Sequence, residues 1–145
     1  MAIDFLERCE VLEECYEFLL GYAAQGLQSD EGSAAGREVR NHLEQGREAI
    51  IGLPESGRRA TRDHQLEPSE KYDAFCSVLE RDASDSLAAL ELVLAQPAIS
   101  SQLIDNLNAS SHLRALLTDL FLFGEILRTR VKVAGVGPNM ALEDK

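Results

Sequence analysis

With 145 residues, no tryptophan and eight aromatic side chains, the chain has room for one domain but not two ordinary ones. Its net charge of −11 argues against duplex DNA or an anionic membrane as the main partner, because both would repel it. Three cysteines, an odd number without CxxC spacing, suit a reducing cytosol rather than a disulfide framework.

No basic leader followed by an apolar run opens the sequence, so no signal peptide is expected. The apolar cluster Leu120 to Phe123 is far too short for a bilayer span. The charge is unevenly spread. Residues 1–31 hold eight acids and one base, whereas residues 32–66 hold six arginines against five acids.

The first helix is predicted from about Asp4 to about Leu27. Phe5, Cys9, Leu12, Tyr16, Leu19 and Ala23 recur at alternating spacings of four and three, an apolar seam for a neighbouring helix. Glu7, Glu10, Glu13, Glu14 and Glu17 read as a solvated acidic face. Cys9 lies on the seam and Cys15 beside it, so Cys15 is expected to be the more exposed. Residues 28–33 read as a loop, and Ser33 is placed as the N-cap of helix two. There Val39, Leu43, Gly46, Ile50 and Leu53 form the seam, with Gly46 expected to let another backbone come close. Gly52 and Pro54 are read as its end.

Residues 54–68 read as a long loop bounded by prolines. A third helix is expected from Ser69 to Pro97, with Tyr72, Cys76, Leu79, Ala83, Ser86, Leu90 and Val93 on its seam. Pro97 would open a short helix bearing Ile99, Leu103, Ile104 and Leu107. Ser110 or Ser111 caps a last helix from His112 to about Lys132. The fold expected is all-α and four-helix-bundle-like, with four main helices, one short helix and a long loop after helix two. It would occupy residues 1–132, with a loose tail over residues 133–145.

Little in the sequence spells chemistry. No Glu-x-x-His is present, so a di-iron carboxylate bundle is not expected, nor is any other metal or cofactor. Cys15 is surrounded by Glu13, Glu14 and Glu17, which disfavour a reactive thiolate. The sharpest motif is Arg37-Glu-Val-Arg-Asn-His42. It resembles the Arg-x4–6-His signature of HEPN-type ribonucleases, which are also small helical bundles. That resemblance implies Arg37 and His42 acting on RNA phosphate across a dimer. It covers six residues, and Glu38 directly after the arginine departs from the polar residue often found there.

Arg37, Arg40 and Arg47 share one side of helix two, and Arg58, Arg59 and Arg62 follow in the expected loop. With His42 they form a candidate surface for an acidic partner protein or an anion. Leu120, Phe121, Leu122 and Phe123 cannot all face one core on a helix, so they are the candidate homodimer interface. The sequence thus points first to a non-catalytic cytoplasmic interaction module, probed through a protein partner and a second copy. A HEPN-like ribonuclease comes next and a metal-binding bundle third.

Overall fold

The computed structural model describes residues 2–131. Every regular element among them is an α-helix: α1 (Ala2–Ala24), α2 (Ala34–Ile51), α3 (Leu53–Asp63), α4 (Ser69–Leu94), α5 (Ser101–Ala109) and α6 (Ser111–Val131). The tail expected over residues 133–145 lies outside the described residues.

The seams read from the sequence are the buried faces. Helix α2 buries Gly36, Val39, Leu43, Gly46, Ala49 and Ile50. Helix α4 buries Cys76, Leu79, Ala83, Ser86, Leu90 and Val93. Serine 33 caps α2, its Oγ accepting the Gly36 N–H at 2.9 Å. At Gly46 side chains come close rather than the expected backbone: a Cβ there would meet Cys15 Sγ at 3.2 Å. On α1 the seam drifts, so that Cys15 and Tyr22 are buried while Tyr16 and Ala23 are only half-buried.

The expected loop over residues 54–68 is mostly helix α3. Pro54 sits in its first turn, where a missing N–H costs nothing, so this proline starts a helix rather than ending one. The buried face of α3 is Leu53, Ser56, Gly57, Ala60 and Thr61, spaced as a seam but built of small residues. Pro97 does not open the short helix; it stays exposed in the connection, and Ser100 caps α5 by accepting the Leu103 N–H.

Helices α1, α2, α4 and α6 touch in that cyclic order, and neither α1 with α4 nor α2 with α6 are neighbours. Helix α3 lies against α1, α2 and α4, and α5 against α1, α4 and α6. At the α3 end, Phe123 packs edge-on against Phe5 with centroids 5.3 Å apart. At the α5 end the packing is polar. Buried Asp30 accepts the Arg40 Nε–H at 2.6 Å and the Ile99 N–H at 2.7 Å. The same guanidinium donates to the carbonyls of Leu94 and Gln96, closing the last turn of α4. Tyr22 donates its hydroxyl to the Ile99 carbonyl at 2.7 Å, and Ser101 Oγ–H donates to the Tyr22 carbonyl.

Burial pushes the Asp30 carboxyl up, but the Arg40 and Ile99 hydrogen bonds outweigh it and hold it below the ordinary 3.8. Gly36 belongs to this end too, because a Cβ there would run into the Asp30 backbone. Gly36→Ala should therefore cost at least about 2 kcal/mol by forcing the backbone apart. Gly21→Ala, on the exposed side of α1 with open space around it, should add about 0.5–1 kcal/mol. Urea unfolding of the two variants checks both signs.

Candidate functional site

The arginines proposed as a partner surface are spent mostly on the chain itself. Arg40 is the clamp just described. Arg47 reaches Glu91 on α4 at 2.9 Å and its neighbour Glu48 at 3.0 Å. Arg58 reaches Glu80 on α4 at 3.2 Å. Arg59 and Arg62 both lean toward Glu55 on their own helix, at 3.9 and 3.7 Å. Arg40, Arg47 and Arg58 thus run along α4 and tie α2 and α3 to it. The exposed pairs each contribute little, about 0–1 kcal/mol, but they neutralise the strip. Arg37 is exposed and has no ion-pair partner among the described residues.

Five residues apart on a helix, Arg37 and His42 point about 140° from one another at 100° per residue. The His42 ring lies flat on Phe18, centroids 4.1 Å apart and planes 1° apart. Its Nδ1 lies 2.9 Å from the Glu38 carbonyl, which can only accept, so Nδ1 carries the proton. Within one chain the two residues do not open onto a common groove, which phosphate chemistry by both would need.

Cys15 is buried, against the expectation that it would be the more exposed thiol; its Sγ–H donates to the His42 carbonyl at 3.2 Å. Burial pushes the Cys9 and Cys15 thiols up to about 12 and raises Cys76 as well, so none is poised as a nucleophile. Among the described residues no group of three or more His, Cys, Asp or Glu side chains could hold a metal ion.

The apolar run of α6 divides in two. Leu120 and Phe123 are buried in the chain's own core, so they cannot form a dimer face in the folded protein. Phe121 and Leu122 stay 58% and 52% exposed. Leu122 borders a groove of about 290 Å³ between the start of α4 and the end of α6. Pro68, Lys71, Tyr72, Phe75, Phe123 and Ile126 complete its lining. The Phe123 ring forms part of it, 5.6 Å from Phe75 and 6.3 Å from Tyr72. Arg130 closes one edge by donating to the Tyr72 hydroxyl at 3.2 Å.

Beyond Tyr72 a second hollow of about 290 Å³ is lined by Arg58, Thr61, Arg62, Leu66, Ser69, Tyr72 and Asp73. Sequence reasoning placed Tyr72 on a core seam and passed over Lys71, Phe75 and Pro68. The signal for them was weak: an apolar residue off the main seam, at the start of one helix, meets another on a helix fifty residues away.

No family model, no curated protein and no solved structure matches the chain. The functional reading therefore rests on its own geometry.

One buried acid carries a testable consequence. Asp119 on α6 is 7% exposed and its Oδ2 has no hydrogen-bond partner. Burial first, then the neighbouring carboxylate of Asp82 on α4, push its carboxyl from 3.8 up to about 7. A raised folded-state value means that the folded chain holds a proton which the unfolded chain releases earlier. Stability should therefore fall as pH rises from about 4 to about 7 and stay low above that. Asp119→Asn should raise the Tm at pH 8 and change it little at pH 4, as differential scanning calorimetry at both pH values would show.

Proposed function

We propose that this is a non-catalytic helical interaction module of the cytoplasm that docks a partner protein on its α4–α6 face. The observation that carries the reading is an apolar groove bordered by Leu122, a large apolar side chain left 52% exposed. Large apolar side chains grouped around a concave surface mark a binding site more than a solvated face. The internally paired arginines and the separated Arg37 and His42 add to it, since the residues proposed for phosphate chemistry are not brought together among the described residues. We read the scaffold as a four-helix bundle of α1, α2, α4 and α6, with α3 and α5 closing its ends. The −11 charge keeps duplex DNA and anionic membrane outside the reading.

A homodimer through Phe121 and Leu122 is the competing arrangement. With Leu120 and Phe123 turned inward, that face offers less than the run promised, and a stable interface buries about 800 Å² on each partner. Light scattering at micromolar concentration separates the two. A mass near 15.9 kDa fits a protomer that binds something else, and twice that mass fits the dimer.

The docking itself is tested by affinity capture from the native lysate with matched variants. A captured protein should be lost with Leu122→Asp, while circular dichroism shows the helices intact. Arg37→Glu should leave capture unchanged. Capture that survives Leu122→Asp would rule out this groove, and capture that fails with Arg37→Glu alone would move the docking surface to α2.

A further inference from the structure

The α4–α6 groove also defines what should occupy it. We propose that it takes an amphipathic helical segment of a partner protein, two to three turns long, whose apolar anchors are flanked by carboxylates. This rests on the reading of the protein as an interaction module and adds the chemistry of its partner.

The groove's shape sets the length. Its α4 wall runs from Pro68 to Phe75 and its α6 wall from Leu122 to Ile126. At 1.5 Å per residue these walls are roughly 10 and 6 Å long. A helix laid along them can seat side chains at i, i+4 and i+7, which span about 10 Å. The floor of Phe75 and Phe123 is aromatic, and Leu122 stands half out of it as a ridge. A helix suits this trough better than a strand would, because among the described residues there is no sheet edge to extend.

The rim sets the charge. Lys71 is the one charged side chain lining the groove, and it has no ion-pair partner among the described residues. Arg130 at the Tyr72 hydroxyl likewise has no carboxylate partner there, since its other bond is to the Glu67 carbonyl. Across Tyr72 the second hollow is lined by Arg58, Arg62 and Asp73, but these two arginines already reach Glu80 and Glu55. A carboxylate leaving the groove beside Lys71 or Arg130 thus meets a cation that no acid among the described residues already holds. Glu67, Glu70, Asp73 and Glu125 adjoin the lining residues along the chain, whereas acids farther than about 8–10 Å act weakly on such a partner because salt screens exposed charges. Rim charges of this kind set the sign of the partner, while the apolar floor supplies most of the affinity.

Fluorescence anisotropy of the full chain with three labelled peptides tests this. One is a helix of roughly 16 residues with Leu at i, i+4 and i+7 and Glu on both flanks, long enough to hold its shape. Its twin carries Lys in place of every Glu. The third copies residues 132–145 of this chain. The acidic helix should bind at least about tenfold tighter than its lysine twin. Leu122→Asp should abolish that binding, Lys71→Glu should erase the preference, and Arg37→Glu should do neither.

Equal binding of the two helices, binding indifferent to Leu122→Asp, or no binding of the acidic helix overturns the proposal. Tighter binding of the 132–145 peptide would give the groove to the chain's own C-terminal segment instead. A dimer that the acidic helix cannot dissociate, but Leu122→Asp can, would give it to a second copy. In each of these cases lysate capture through Leu122 can still succeed, so the partner chemistry fails separately from the module.

Discussion

Arg40 and Asp30 hold together the end of the molecule where most of its chain crossings meet. The carboxylate fixes the Ile99 amide in the connection after α4, and the guanidinium closes the carbonyls at the end of α4 itself. One charge pair therefore links the α1–α2 connection, α2, the end of α4 and the approach to α5. Its partial burial is workable because both Asp30 oxygens and several guanidinium N–H groups are bonded, so little polar surface is left without a partner. The Tyr22 hydroxyl and the Ser101 hydroxyl complete the net from α1 and α5. Apolar seams decide that the helices associate, and this net fixes how they end.

The working face proposed here lies at the other end. Leu94 in the clamp and Tyr72 in the groove are twenty-two residues apart on α4, roughly 30 Å at the helical rise. The polar net can lock one end of the bundle while α4's first turns and α6's last turns meet around an aromatic floor. Small residues make that second junction possible. Gly57 on α3 sits where a Cβ would touch Phe123 at 3.2 Å and Phe5 at 3.4 Å, so the two rings pack against α3's backbone. A larger residue there would push Phe123 and reshape the groove.

How much of this could be read from the sequence follows from how each feature is written in it. The 4-3 repeat of large apolar residues marked α2 and α4 almost residue for residue, because such seams must be buried wherever the helix lies. Helix α3 was missed because its buried face is Ser56, Gly57, Ala60 and Thr61, residues that also make loops, and because Pro54 reads equally as a stop or a start. The arginines were seen, but not what they pair with. Glu80, Glu91 and Asp30 lie ten to forty-four residues away along the chain, and only the fold brings them within reach. The apolar run of α6 was recognised as too wide for one core, yet the sequence could not say which two of its four side chains would turn out.

Arg40, which the sequence offered as a binding residue, is a structural one. A double-mutant cycle of Arg40→Met and Asp30→Asn, followed by urea unfolding, measures it directly. Hydrogen-bonded pairs of this kind couple strongly, and the account predicts a coupling of about 1.5–3 kcal/mol, with the double variant less destabilised than the sum of the two single ones. Additivity within about 0.5 kcal/mol would contradict it, because Arg40 would then be free to serve a partner rather than the fold.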